Sequence, residues 1–348
     1  MDTQYTAGSH PCLSNLIVYT EDPGDQPLIT ATIAEYVVKH PCRVIVAMAE
    51  PRSAQRALDS TFSTHTYSDH AGKNVTCDQI TLRAGGVAVK ELAGAVQPLL
   101  VADLPTSIWW RGIFLTQRQL VEQFLTFADR FIYDGVGWTN LHFTVPQVAD
   151  FISRYDDKVA FANFNWSRLR PWRDGIADFF DPGMYEKQVW DLRRVRVGFM
   201  SIPGSEEGHQ FRALLLVAWL AVQLEWEAVA GRPSMEQVCY EFRDKKGAAV
   251  DAELEMLPQS GPTSQGLQHA ILSAGSGEDA HDFVVEREHA EHLMLLRHKN
   301  RAGDTVLRTV PHADSSIAEL LHRELGRRVR NRVFERSFKM ASKLLEMS

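Results

Sequence analysis

Strand-like and helix-like segments alternate through the first half of this 348-residue chain. Short runs rich in β-branched and aromatic residues predict strands, and the spacing of apolar residues between them predicts helices. The predicted strands are residues 15–19, 43–48, 75–83, 106–110 and 131–133. The predicted helices lie after Pro27, over residues 87–100, and after a capping box of Thr116 and Gln119. Because strands joined by helices run in the same direction, residues 1–150 are expected to form a Rossmann-like α/β domain with a mainly parallel sheet.

The second half of the chain has a different pattern, with short alternating segments separated by glycine, serine, asparagine and proline. These segments are typical of antiparallel hairpins, and they cover residues 248–257, 266–273, 281–286, 292–298 and 304–310. The other predicted elements are a strand at 191–200, helices at 166–180 and 211–230, and a long C-terminal helix over 317–345. Residues 151–348 are therefore expected to form an α+β domain with an antiparallel sheet and a long C-terminal helix.

The composition limits the class of protein. With 37 Lys and Arg against 44 Asp and Glu residues, the formal net charge is -7, which disfavours a nucleic-acid partner. The most apolar stretch, residues 211–224, contains Arg212 and Gln223 and is too short to span a bilayer. The N-terminal residues 1–12 lack the positive and apolar regions of a signal peptide. We therefore expect a cytoplasmic protein without a membrane partner.

A nucleotide cofactor would need a glycine-rich turn directly after the first strand, where backbone N–H groups approach phosphate. The sequence after Tyr19 is TEDPGDQP, which has one glycine and the three carboxylates of Glu21, Asp22 and Asp25. These carboxylates would repel phosphate. A second glycine pattern, GSGEDA at residues 275–280, precedes a strand-like segment and is better explained as a hairpin turn. We therefore predict no nucleotide cofactor.

The sequence also lacks the residue patterns of a metal site or an activated nucleophile. His289, His292 and His298 fall at the end of one predicted strand and the start of the next, without a carboxylate at matching spacing. Cys42 lies beside Arg43, whose charge would favour a thiolate, but a cysteine that begins a buried strand is the simpler interpretation. We predict no metal site and no catalytic residue, and hence a protein that is not an enzyme.

The four cysteines are Cys12, Cys42, Cys77 and Cys239. They are widely spaced in sequence and include no CxxC pair, which disfavours a zinc ribbon and a thioredoxin-like motif. In a cytoplasmic protein we expect them to be reduced thiols.

Two clusters combine tryptophan with arginine. The first is Trp109, Trp110 and Arg111 in VADLPTSIWWRG, and the second contains Trp166, Arg168, Arg170, Trp172 and Arg173 in NWSRLRPWRD. Because adjacent strand residues point to opposite faces, one indole of the first cluster is a candidate for a surface position. Tryptophan and arginine are enriched at the energetic centres of protein interfaces, so all of these residues are predicted to bind a partner. The alternative is that the tryptophans pack the core.

Five ordered segments carry a further signal: HPCRVI at residues 40–45, CDQITL at 77–82, PLLVADLPTSIWWRG at 98–112, RLRPWRDGIADFFD at 168–181 and LLLVAWLAVQLEW at 214–226. These segments resemble the OpcA family of glucose-6-phosphate dehydrogenase assembly proteins. Together with the final helix, the resemblance covers most of the chain. Its most specific motif is the Leu-Pro-x-x-x-Trp-Trp element.

The resemblance implies a non-catalytic protein that binds glucose-6-phosphate dehydrogenase and promotes its active oligomer. That enzyme opens the oxidative pentose phosphate pathway and supplies NADPH. The layout of an α/β domain followed by an antiparallel-sheet domain also resembles the dehydrogenase itself, which suggests a dehydrogenase-like scaffold without catalysis. The alternative function is a sugar-phosphate- or nucleotide-using enzyme, or a metabolite sensor, with an unrecognised site.

Cyanobacterial members of this family are associated with thioredoxin-linked redox control. The present sequence has no cysteine after Cys239 and no cysteine pair that is close in sequence. On that basis we expect no disulfide switch and little effect of a reducing agent.

Overall fold

The computed structural model describes residues 12–68, 74–155, 157–201, 206–233, 237–258, 266–288, 292–327 and 329–348. Residues 1–11, on which the signal-peptide expectation rests, lie outside the described residues, as does His289 of the candidate metal cluster. The described helices are α1 (Gln26–Lys39), α2 (Leu92–Val96), α3 (Arg118–Leu125), α4 (Leu141–Tyr155), α5 (Phe164–Arg168), α6 (Arg170–Phe179), α7 (Glu206–Gln223), α8 (Ile317–Leu325) and α9 (Arg332–Glu346). Among the described residues, no helix combines the length and apolarity needed to cross a bilayer.

The chain divides into two compact units, and the N-terminal unit comprises the chain up to Asp134 with residues 155–164 and 316–330. The strands of its sheet are β1 (Asn15–Thr20), β2 (Arg43–Glu50), β3 (Ala57–Ser68), β4 (Asn74–Gly85), β5 (Thr106–Trp110), β6 (Arg130–Tyr133) and β7 (Ala160–Asn163). Their order is β3-β4-β2-β1-β5-β6-β7, and all neighbours are parallel except β3 with β4. Without β3 this is the strand order of a Rossmann fold, so the predicted fold class of this half is confirmed.

The central strands of this sheet are apolar because both of their faces are covered. All six residues of β1 are buried, as expected for a parallel sheet between helices. Helix α1 has Pro27 in its first turn, where the missing N–H costs no hydrogen bond, and it ends before Pro41 as predicted. The predicted capping box is wrong, because the Thr116 hydroxyl donates to the Ile113 carbonyl at 2.7 Å and α3 begins later, at Arg118.

The C-terminal unit comprises residues 135–154, 165–315 and 331–348. The strands of its sheet are β8 (Leu192–Met200), β9 (Glu227–Pro233), β10 (Gln237–Arg243), β11 (Ala249–Met256), β12 (Gly266–Ala274), β13 (His281–Glu288), β14 (Leu293–Asn300) and β15 (Gly303–Pro311). Their order is β15-β14-β13-β12-β8-β11-β10-β9, and only β8 with β11 is a parallel pair. The predicted antiparallel sheet is therefore confirmed. The turn at residues 275–280 joins β12 to β13, as expected.

The helices predicted at residues 211–230 and 317–345 differ from those in the structure. The helix predicted up to residue 230 ends at Gln223, because Glu225 adopts a left-handed backbone conformation with φ of 55° and the chain enters β9. The single long C-terminal helix is interrupted after α8. Helix α9 then starts afresh, with the Asn331 side chain accepting a hydrogen bond from the Phe334 amide.

The two units differ from the continuous division at residues 150/151 that the sequence predicts. Strand β7 pairs with β6, and α8 packs against α1, so both later segments belong to the N-terminal unit. Chain segments that return to an earlier sheet have no local sequence signal, because the pairing that places them is made over a long sequence separation.

Candidate functional site

The strand order of the N-terminal sheet reverses between β1 and β5, and open α/β sheets bind ligands at the carboxyl ends of such strands. In this chain each of the two strands has a buried aromatic residue near that end, Tyr19 in β1 and Trp110 in β5. Tyr19 lies opposite Trp110 in the parallel register, and their rings stack with centroids 3.7 Å apart. The phenol of Tyr19 donates to the Glu21 carboxylate at 2.9 Å.

An ion pair lies directly beyond these rings. The Arg111 guanidinium donates to the Asp25 carboxylate through Nε, at 2.6 Å, and through Nη2. The Thr20 hydroxyl donates to the same carboxylate at 2.6 Å. Burial alone would raise the pKa of Asp25, but the hydrogen bonds from Arg111 and Thr20 lower it below its ordinary value. A carboxylate thus lies before α1, where a Rossmann fold presents backbone N–H groups to phosphate.

The indoles of the first predicted cluster are both buried in β5. Trp109 and Trp110 are each 1% exposed. They point to opposite faces of the sheet, where Trp109 packs near Phe164 and Trp110 packs against Phe124. Both faces of the strand are covered, so the indoles support the structure around Arg111 rather than form a surface.

The second predicted cluster separates into buried and exposed members. The Arg173 guanidinium stacks on the Trp166 ring at 3.6 Å and donates to the Trp166 carbonyl at 2.8 Å, and both side chains are buried. Trp172 is also buried. Arg170 is 57% exposed and pairs with Asp174 one helical turn away, at 3.4 Å.

Arg168 and Trp172 line a cavity of about 240 Å³ within the C-terminal unit. Other lining side chains with polar or charged groups are His209, Arg212, Arg287, His312, Asp314 and Ser315. No local sequence pattern identifies this set, because its members come from α5, α6, α7, β13 and the segment after β15. One signal was present: Arg212 lies in the otherwise apolar stretch FRALLLVAW, where a charged residue needs a structural or functional reason.

A buried asparagine holds two of the cavity arginines. The Asn165 side-chain oxygen accepts from Nη1 of Arg168 and from Nε of Arg212, each at 3.3 Å. Gly135 leaves room for this amide, because a Cβ atom at that position would lie 2.9 Å from Asn165 Nδ2. The contact restricts both guanidinium groups before any ligand is present.

A third arginine reaches the cavity from β13. The side chain of Arg287 is 8% exposed and donates to the Asp314 carboxylate at 2.7 Å, whereas the Asp314 side chain is 72% exposed. Partial burial would raise the pKa of Asp314, but the Arg287 hydrogen bond and charge, with His312 and Arg212 nearby, lower it. Arg287, Arg212 and His312 therefore all stabilise the charged form of the same carboxylate, that of Asp314.

Two of the cysteines that are far apart in sequence are neighbours in the fold. The Cys77 thiol donates to the Cys42 carbonyl at 3.1 Å, and both side chains are buried. The contact with Cys77 and burial raise the pKa of Cys42, so the candidate thiolate beside Arg43 is disfavoured. Cys42 and Cys77 are therefore close in the fold although far apart in sequence, and the expectation that the protein has no disulfide switch stays a prediction.

The described histidines of the candidate metal cluster have other contacts. His298 lies 2.9 Å from His281 and 3.0 Å from the Tyr185 hydroxyl. His292 has a left-handed backbone conformation, with φ of 51°, just before β14. This agrees with the predicted turn between two strands.

Two segments of the chain match the domains of one known protein family. Residues 34–150 match the glucose-6-phosphate dehydrogenase subunit N-terminal domain, and residues 159–338 match the C-terminal domain of the same subunit. The chain belongs to the OpcA family. The resemblance inferred from the five sequence segments is therefore confirmed.

Curated OpcA relatives are similar over most of this chain. A protein of Synechocystis sp., provisionally named an OxPP cycle protein OpcA, is 27% identical over 92% of the chain. A protein of Nostoc punctiforme with the same name is 21% identical over 90% of the chain. The chain spans 66% of the length of the first relative and 67% of the second.

Solved structures share the fold of this OpcA-family chain at low sequence identity. The 3-ketoreductase KijD10 from Actinomadura kijaniata, in complex with TDP-benzene and NADP, matches with a TM-score of 0.55, 11% identity and 96% coverage of both chains. UDP-N-acetylglucosamine 3-dehydrogenase GnnA from Acidithiobacillus ferrooxidans matches with a TM-score of 0.50, 10% identity, and coverage of 95% and 96%. The OpcA-family chain thus has the fold of these oxidoreductases.

Proposed function

We propose that this chain is a non-catalytic protein that binds glucose-6-phosphate dehydrogenase in the cytoplasm and promotes its active oligomer. Membership of the OpcA family supports a role in the oxidative pentose phosphate pathway. A binding partner shifts an assembly equilibrium only by binding one state more tightly than the other. The proposed complex therefore favours the active assembly of the dehydrogenase.

The observation that carries the non-catalytic part of this proposal is the set of contacts at the carboxyl ends of β1 and β5. Tyr19 stacks on Trp110 there, and Asp25 pairs with Arg111. KijD10 is described in complex with NADP, and this chain has the same fold. Here a carboxylate and its ion pair lie where a pyrophosphate would need backbone N–H groups, which disfavours dinucleotide binding.

The predicted partner-binding residues have two different roles in this proposal. The half-buried Arg168 is the last residue of α5 and Arg170 is the first residue of α6, and in this proposal both contact the dehydrogenase. Six others hold the surrounding structure in place: Trp109, Trp110, Arg111, Trp166, Trp172 and Arg173.

The test of this docking surface is the affinity of Arg170→Ala for the cognate dehydrogenase, measured by biolayer interferometry. Truncation of a central interface arginine is expected to weaken binding by about tenfold or more. Arg154→Ala is the matched control, because Arg154 is similarly exposed and also pairs with an aspartate one turn away, Asp150, at 2.6 Å. Equal affinities of the two variants would remove α6 from the docking surface.

The cavity of the C-terminal unit favours a second candidate function, that of a metabolite sensor. Three arginines line it, and two of them are held by one buried asparagine. Such a sensor would respond to a small anion and show no turnover. A ligand-binding measurement on the isolated chain tests it.

A further inference from the structure

We propose that the cavity lined by Arg168, Arg212 and Arg287 binds the phosphate group of a small metabolite. This inference rests on the second candidate function, that of a sensor, and names the chemical class of its ligand; it is independent of the proposed docking to the dehydrogenase. It rests on the charge of the cavity, the fixed geometry of its arginines, the position of Asp314, and the size of the space.

The charge of the cavity is opposite to that of the protein. Among the described residues that line the cavity there are three arginines and one carboxylate, that of Asp314, in a chain whose formal net charge is -7. A guanidinium group presents a planar fork of donors that matches the oxygens of phosphate. The side chain of Arg287 is also removed from water, which strengthens its attraction for an anion.

The arginines are held in place before a ligand arrives. The Asn165 oxygen accepts from both Arg168 and Arg212, so these two guanidinium groups lie around one fixed point. Gly266, which has φ of 88°, brings its backbone close to Arg212, since a Cβ atom there would lie 3.1 Å from Nη1. Groups that are already ordered lose less conformational entropy on binding.

The carboxylate of Asp314 lies where the cavity arginines attract negative charge. Its carboxylate accepts from the nearly buried Arg287 while most of its own side chain is exposed. An exposed carboxylate can move away from Arg287 more readily than the buried guanidinium can. A phosphate group, which has more acceptor oxygens, would replace the contact of Arg287 with Asp314 and also reach Arg168 or Arg212.

The volume of the cavity favours a small ligand. About 240 Å³ is below the usual range of sites for drug-sized molecules, which begins at about 300 Å³. Pro171, Trp172 and Leu267 provide an apolar wall beside the charged groups. This combination suits a monophosphate with a short carbon skeleton rather than a dinucleotide.

Isothermal titration calorimetry of the purified chain alone tests the proposal. The ligands are inorganic phosphate, a hexose monophosphate, the uncharged hexose, and chloride at equal ionic strength. Saturable binding of the hexose monophosphate, without binding of the hexose or chloride, is the expected result. Equal binding of inorganic phosphate would also support the proposal and would show that the phosphate group alone is recognised. No saturable binding of either phosphate up to about 10 mM would overturn it.

Variants locate the binding in this cavity. Arg168→Gln is expected to weaken phosphate binding by about tenfold, the effect of losing a charge-assisted hydrogen bond. Arg170→Gln is the matched control: it removes an arginine two positions away that does not line the cavity. Asp314→Asn is expected to strengthen binding, because it removes the competing negative charge. Folding of each variant is checked by its thermal midpoint. Folded Arg168→Gln and Asp314→Asn proteins with unchanged affinity would contradict the proposed site.

Discussion

Arg111 and Asp25 form a two-point ion pair in which Arg111 Nε donates to Asp25 at 2.6 Å, at the carboxyl ends of β1 and β5. Both side chains are mostly buried. The pair connects the residue after β5 to the turn that precedes α1. It therefore stabilises the N-terminal unit at the place where other chains with this strand order bind their ligands.

The first prediction concerns this pair. Arg111→Ala is expected to lower the free energy of unfolding by about 2 kcal/mol, because Asp25 keeps its charge and loses its strongest hydrogen bonds. Urea unfolding of the two proteins measures the difference. The control is Arg170→Ala, which removes an exposed ion pair and should cost less than about 0.5 kcal/mol. Equal costs would show that the Arg111 contact is not structural.

The second prediction is the pH dependence of that difference. The pKa of Asp25 in the folded protein lies below its ordinary value of 3.8, so the stabilisation is fully present above pH 3.8. It is lost as the pH falls through the lowered folded value. The stability gap between the wild type and Arg111→Ala should therefore stay constant from neutral pH down to about pH 5 and shrink in stronger acid. A gap that grows on acidification would refute this assignment.

The third prediction concerns catalysis. The purified chain is expected not to oxidise glucose 6-phosphate with NAD or NADP, because the crevice between β1 and β5 holds Asp25 and Arg111. The measurement is the absorbance of reduced nicotinamide after complete removal of contaminating dehydrogenase. Robust turnover by the chain alone would show that this crevice accepts a cofactor.

The fourth prediction concerns thiol reactivity. In the native protein Cys42 and Cys77 are expected to react slowly with a thiol reagent, because both are buried and the pKa of Cys42 is raised by its contact with Cys77 and by burial. Cys12 and Cys239 are partly exposed and should react faster. Mass spectrometry of the labelled peptides identifies the sites. Rapid labelling of Cys42 would mean that the pair opens readily and is available for oxidation.

The sequence predicted the fold more completely than the site. Continuous apolar runs located β1, β2, β5 and β6, because strands buried on both faces are apolar throughout, and an alternation of apolar and polar residues located β4. Strand β3 was missed because its residues, ALDSTFSTHTYS, are mostly polar, as an edge strand allows. Strand β7 was missed because its residues, AFAN, include no β-branched side chain, whereas the equally short β6, RFIY, contains isoleucine and two aromatic residues.

The candidate site could be predicted from the sequence only in part, for a different physical reason. Arg168 and Trp172 are neighbours in sequence and were identified together. Arg212 and Arg287 reach the same cavity from α7 and β13, and only tertiary packing brings them there. Burial likewise separates Arg173, which stacks on Trp166, from the exposed Arg170, although both lie in one short motif.

The most direct test of the proposed function is the effect of this chain on the cognate glucose-6-phosphate dehydrogenase. Purified enzyme is assayed at micromolar concentration with and without the chain, and its mass is measured by light scattering in the same samples. We expect a higher kcat/KM, or a shift of the enzyme to a larger assembly that contains this chain. Unchanged kinetics together with an unchanged mass would contradict the proposal that the chain is a binding partner that promotes the active enzyme.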